Sequence, residues 1–150
     1  MSQSDWEARA REAQTRLTPL HFLLGHWLGA GTSHGDPITA SLSVQLRLSG
    51  TFVEASERLL DASGALDHED ISFYRYSSTE DQIRVRQMMV PALLSERIVL
   101  VLPEGGIRWY EGPLGVQVYF RPQPDGTVQQ QVFLPQQQTP AVTIRYQRKP

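Results

Sequence analysis

The sequence predicts an all-β protein: a closed up-and-down antiparallel β-barrel of about 9–10 strands with a short N-terminal helix. Three observations lead there. From about Trp27 onward apolar and polar residues alternate with a period of two, as in strands with one dry and one wet face. The breaks between these runs are short and carry turn residues, which favours hairpins over parallel crossovers. So many antiparallel strands in ~120 residues must hide two sheet edges, and closing the sheet removes both. The 150 residues, 40% hydrophobic and 20% charged, suit one domain over 1–150, with 1–18 as helix and lead-in and 19–150 as barrel.

After Ser4-Asp5, the helix formers of Trp6 to Ala13 place Trp6, Ala10, Ala13 and Leu17 at helical spacing, which predicts a short amphipathic helix. Thr18-Pro19 ends it, because proline cannot donate to the preceding turn. An apolar turn with Leu20, Phe22, Leu23 and Leu24 leads into Gly25. Ser41 to Leu48 alternates leucine or valine with polar residues and is the clearest strand. Further strands are expected at Thr51 to Leu60, Asp70 to Tyr76, Ile83 to Val90, Glu96 to Leu102, Gly106 to Glu111, Val116 to Arg121, Val128 to Leu134 and Val142 to Gln147. Turns fall at Ser49-Gly50, Asp61 to Gly64, Ser77 to Asp81, Pro103 to Gly106, Gly112-Pro113-Leu114-Gly115 and Pro122 to Gly126. The tract Gln129-Gln130-Gln131 is expected to interrupt its strand, and Gln136-Gln137-Gln138 to form a loop.

Composition excludes several function classes. With 14 Lys+Arg against 16 Asp+Glu the net charge is -2, so no basic field attracts nucleic acid. The absence of cysteine removes disulfides, thiolate metal sites and a thiol nucleophile. No apolar run approaches the ~20 residues of a membrane span, and the opening residues lack a signal-peptide core, so a cytoplasmic protein is expected. A Ser-His-Asp hydrolase has no G-x-S-x-G elbow to rest on. Asp67, Glu69 and Asp70 around His68 read as a solvated turn in preference to an acid–base group.

The most informative stretch is Gly25-His26-Trp27-Leu28-Gly29-Ala30-Gly31. Its glycines suggest a first strand that bends and lies close to other backbone, while Trp27 fills the end of the core. Neither a third phosphate-loop glycine nor a following helix is present, so dinucleotide binding is rejected. Together with Leu17-Thr18-Pro19-Leu20-His21-Phe22-Leu23-Leu24, this stretch resembles the N-terminal signature of the nitrobindins, members of the calycin group with lipocalins and fatty-acid-binding proteins. Weaker likeness continues at His68-Glu69, at Ser72 to Arg75 and from Thr139 to Arg148. The resemblance implies a ten-stranded, calycin-like barrel, with haem held at the open end and activity on nitric oxide or peroxynitrite. It also implies that Arg148 packs over Trp27, giving a structural set of Gly25, Trp27, Gly29, Gly31 and Arg148.

Laid on the family without gaps, the sequence puts Ala141 where the family's P-H-L segment carries its iron-binding histidine, and a methyl group cannot coordinate iron. The family's Y-P-T-I stretch becomes Asp36-Pro37-Ile38-Thr39. No cofactor is therefore expected, and haem is disfavoured. The leading expectation is non-catalytic binding of a small hydrophobic or amphipathic molecule in the barrel cavity. The other readings are a nitrobindin-type haem protein and a filled barrel serving as a structural or interaction module. Candidate ligand-binding residues are His34, Thr39, Phe73, Met88, Tyr119, Phe133 and Ala141. His34 is expected near the barrel mouth, and the aromatics and Met88 could line a cavity or fill it. His26 is expected at the surface. Arg84 and Arg86 share one face, taken as exterior, with an interior guanidinium pair as the sharper reading. No histidine pair has metal-site spacing, so no metal is expected.

Overall fold

The computed structural model describes residues 1–112 and 114–150; Pro113, within the turn expected at Gly112 to Gly115, lies outside the described residues. The chain forms helix α1 (Gln3–Arg16) and a 3-10 helix (Thr18–Leu23). Ten strands follow: β1 (Gly25–Ser33), β2 (Asp36–Arg47), β3 (Phe52–Asp61), β4 (Leu66–Ser77), β5 (Gln82–Met89), β6 (Leu93–Val101), β7 (Ile107–Tyr110), β8 (Gln117–Pro122), β9 (Val128–Phe133) and β10 (Val142–Arg148). Each strand pairs antiparallel with its sequence neighbours, and β1 pairs with β10 to close the barrel. The expected closed barrel of about 9–10 strands is thus present, with ten. No described helix is long and apolar enough to cross a membrane.

The helices sit at one end. Ser2 caps α1 in a reciprocal capping box with Asp5, so the helix begins before the Ser4-Asp5 pair. No residue of α1 is buried, and Trp6 is 58% exposed. The expected apolar stripe therefore does not dock as a whole; its C-terminal end, Leu17, is the part that enters the core. Leu17, Leu20 and Leu23 plug the barrel beneath Trp27, whose indole Nε1 donates to the Leu23 carbonyl at 2.8 Å.

The Arg148 guanidinium lies over that indole, 4.3 Å from the ring centroid, and its Nη1 donates to the Leu24 carbonyl at 2.7 Å. The place the resemblance implied for Arg148 is the one it occupies. Gly29 and Gly31 have their close-approach role. A Cβ on Gly31 would lie 1.8 Å from the Thr143 carbonyl oxygen, and one on Gly29 2.7 Å from Ile144 Cγ2. The first strand can cross β10 only where side chains are missing.

Two local expectations are corrected. Gln129-Gln130-Gln131 does not interrupt a strand; all three lie in β9, paired to β8 and β10. Asp67 to Asp70 is not a turn, because β4 starts at Leu66 and carries the acidic residues into the sheet. Charge alone gave the turn reading. Cross-strand pairing with β3 decides otherwise, setting Glu57 opposite Asp70 and Leu59 opposite His68.

Candidate functional site

Strand alternation determines what the lumen contains. In β3 the inward residues are Val53, Ala55, Glu57 and Leu59; in β4 they include Asp70, Ser72 and Tyr74. β5 contributes Val85, Gln87 and Met89, and β9 contributes Val128, Gln130 and Val132. Near the helices these rows are apolar. Beyond them, a cavity of about 370 Å³ extends to the far end of the barrel, where exposed His34 and Asp67 stand at its mouth.

One side of the cavity is apolar: Val116, Val118, Phe120, Val132 and Val142 line it from β8, β9, β10 and the segment before β8. The other side is polar and centres on Glu57, 6% exposed. The Tyr146 hydroxyl donates to Glu57 Oε2 at 2.6 Å, and Gln130 Nε2 donates to Oε1 at 3.2 Å. Asp70, Glu57's cross-strand neighbour, is buried as well. Its Oδ2 lies 2.6 Å from His68 Nε2, and the Ser72 hydroxyl donates to Oδ1 at 3.3 Å. Ligand atoms of Glu57, His68 and Asp70 all lie within 4.8 Å of one another, close enough to share one proton network or one cation.

Electrostatics follow from this placement. Burial, reinforced by the Asp70 charge, pushes the Glu57 carboxyl up from 4.5 to about 7, against the pull of its Tyr146 and Gln130 donors. His68 is raised above its ordinary value, chiefly by its hydrogen bond to Asp70. Burial pushes the Tyr146 and Tyr74 hydroxyls well up, so both stay protonated. The Tyr74 oxygen accepts from the Trp109 indole at 2.9 Å across the lumen. Arg97 also faces inward, 10% exposed; its Nε donates to Glu111 at 3.1 Å and its guanidinium lies 6.0 Å from the Trp109 ring.

Of the seven candidate ligand residues, His34 lines the cavity. Thr39 is exposed on β2 between inward Ile38 and Ala40. Phe73 lies on the outer face of β4, alternating with Ser72 and Tyr74. Met88 points out, 40% exposed, while Met89 points in. Tyr119 and Phe133 pack edge to face against each other, 5.6 Å apart, on the outer wall, where Arg121 lies 4.0 Å over the Tyr119 ring. In each case the expected parity is one residue off, and a one-residue slip exchanges lumen for solvent.

Ala141 precedes β10 and does not line the cavity; its carbonyl accepts from the His34 amide at 2.7 Å. The exterior reading of Arg84 and Arg86 is the correct one, since both bind Glu96 on the outer face of the sheet. The inward guanidinium belongs to Arg97 instead. Sequence reasoning also passed over Glu57 and Gln130. The signal was an acid or amide on the apolar parity of an alternating strand: Val53-x-Ala55-x-Glu57-x-Leu59 and Val128-x-Gln130-x-Val132. No family model matches the chain, and comparison with the curated proteins finds no match.

Proposed function

We propose that the barrel binds a small amphipathic molecule in its open-end cavity and does so without catalysing a reaction. The observation that carries this reading is the two-sided lining: an apolar wall from β8 to β10 faces the polar group of Glu57, Asp70 and His68. Apolar burial would supply affinity and the polar side would orient the ligand. The calycin-like character implied by the glycine–tryptophan motif agrees with a ligand-holding lumen.

Haem held in the nitrobindin manner does not fit these residues. The residue that the resemblance aligns with the family's ligand histidine is Ala141, whose methyl group cannot coordinate iron and which does not line the cavity. The neutral fluorophore N-phenyl-1-naphthylamine tests the binding reading. It is expected to saturate at one site per chain with a blue-shifted emission, and Ala55→Phe, which fills the lumen, is expected to abolish that signal. A probe that never saturates would overturn the proposal.

A further inference from the structure

The charges around the cavity do not balance, and the imbalance has a sign. Three carboxyl groups line it: Glu57, Asp67 and Asp70. Arg97 pairs with Glu111, and His68, although within 4.8 Å of Glu57, is bonded to Asp70, so these two cations already have acids of their own. Among the described residues no cationic side chain pairs with Glu57, whose hydrogen-bond partners are the neutral Tyr146 and Gln130. A buried carboxylate without a counter-charge is unfavourable, and a like-charged cross-strand neighbour makes it more so.

A second observation comes from Gln130. The residue is 4% exposed and lines the same cavity, yet its Oε1 accepts no hydrogen bond among the described residues. The Gln130 oxygen is left open, and the Glu57 carboxylate oxygens, with one neutral donor each, keep further lone pairs free. What completes them must bring hydrogen-bond donors and positive charge.

We propose that the ligand is an organic cation, an alkyl ammonium whose head sits between Glu57 and Asp70 within reach of Gln130 and whose tail lies along Val118, Phe120 and Val132. This rests on the binding reading above and names the ligand class. An ammonium offers three donors to three acceptor side chains, and the Trp109 and Tyr74 rings beside them favour a cation further. A bare metal ion matches the cavity less well. The apolar wall of Val118, Phe120 and Val132 would have no part to play in holding it.

The test compares decylamine, decanol and decanoate, which share one tail and differ in head charge, as competitors for the naphthylamine probe at pH 8. Decylamine is expected to displace it at concentrations at least tenfold below the other two. Glu57→Gln and Asp70→Asn should each erase most of that preference, while Glu96→Gln, on the outer wall, should keep it. Equal potency of the three, or preference for decanoate, would overturn the cation assignment and leave the binding reading standing. If the probe itself finds no site, both fall. Stoichiometric zinc binding by calorimetry, lost in Glu57→Gln, would also overturn the assignment in favour of a metal. The ligand series on the unaltered protein decides the question even if one variant fails to fold.

Discussion

Glu57 and Glu96 occupy the inner and outer walls of the same sheet and meet opposite surroundings. Glu96 is held by Arg75, Arg84 and Arg86 at 3.1, 3.2 and 3.3 Å, which keeps its carboxyl below the usual range. Glu57 meets two neutral donors and a neighbouring aspartate, and burial lifts its carboxyl to about 7. The outer wall places its arginines where water would have solvated them anyway. The inner wall leaves Glu57 with no ion-pair partner of its own where solvation is poorest, since nearby His68 is bonded to Asp70. Structural economy explains the first arrangement; the second is the feature on which the proposed cationic ligand rests.

The largest test of that contrast is Glu57→Gln. The folded Glu57 carboxyl keeps its proton up to about pH 7, whereas the unfolded one releases it near 4.5. Between those values the native state binds more protons, so stability falls as pH rises through the window and the penalty is complete above it. A shift of this size is worth on the order of 3 kcal/mol. His68 acts in the same direction. Its contribution is complete below its ordinary 6.5 and disappears as pH climbs through its raised folded value. Urea unfolding at pH 5, 7 and 9 should show Glu57→Gln more stable than the unaltered protein at pH 9, with a shallower decline. An unchanged slope would mean that the buried carboxyl is not its source.

Tyr146→Phe probes the same site from β10. It removes the hydroxyl that donates to Glu57 at 2.6 Å, leaving a buried acceptor short of a partner at a cost of about 1–3 kcal/mol. The loss should be larger at pH 9, where the acceptor is charged, than at pH 5. In the Glu57→Gln background the pH dependence of the loss should vanish, which a double-mutant cycle measures.

The barrel itself was legible because hairpin after hairpin repeats one simple alternation, and ten antiparallel strands leave few alternatives to closure. Gly31 and Trp27 were legible for a related reason: a missing Cβ and a large indole are demands of the backbone crossing and the end plug. The cavity was much less so. Phe73 and Tyr74 are adjacent and both aromatic, and nothing local tells which faces inward; the register against Glu54 and Val53 does. Glu57 was hidden by the habit of reading charge as exposure, although its parity with Val53, Ala55 and Leu59 already placed it inside.

At the helix end the same barrel holds a cation over an aromatic ring and on a backbone carbonyl. Arg148→Met removes the guanidinium from the Trp27 face and from the Leu24 carbonyl while keeping an apolar stem. The cation–π contact is worth about 0.5–2 kcal/mol. Thermal unfolding should show that loss equally at pH 5 and pH 9, because a cation–π contact between a guanidinium and an indole involves no proton exchange in that range. A loss that varied with pH would tie this end to the Glu57 site.

Glu96→Gln is expected to do least, and its pH profile should have the opposite sign to that of Glu57→Gln. The three arginines hold the folded carboxyl below its unfolded value, so its contribution is complete above about 4.5 and is lost as pH falls through the lower folded value. Partly exposed and screened by water, the cluster contributes about 0–1 kcal/mol, and 1 M salt should remove most of it. Urea unfolding of Glu96→Gln at pH 7 in low and high salt measures this directly. A loss of several kcal/mol that persisted in salt would show that the outer arginines brace the sheet as strongly as the lumen does, and the distinction between the walls would fail. With a small, screened loss, the unpaired acid inside the barrel remains the charge whose cost the rest of the fold does not offset, and a cation arriving from solution is what would offset it.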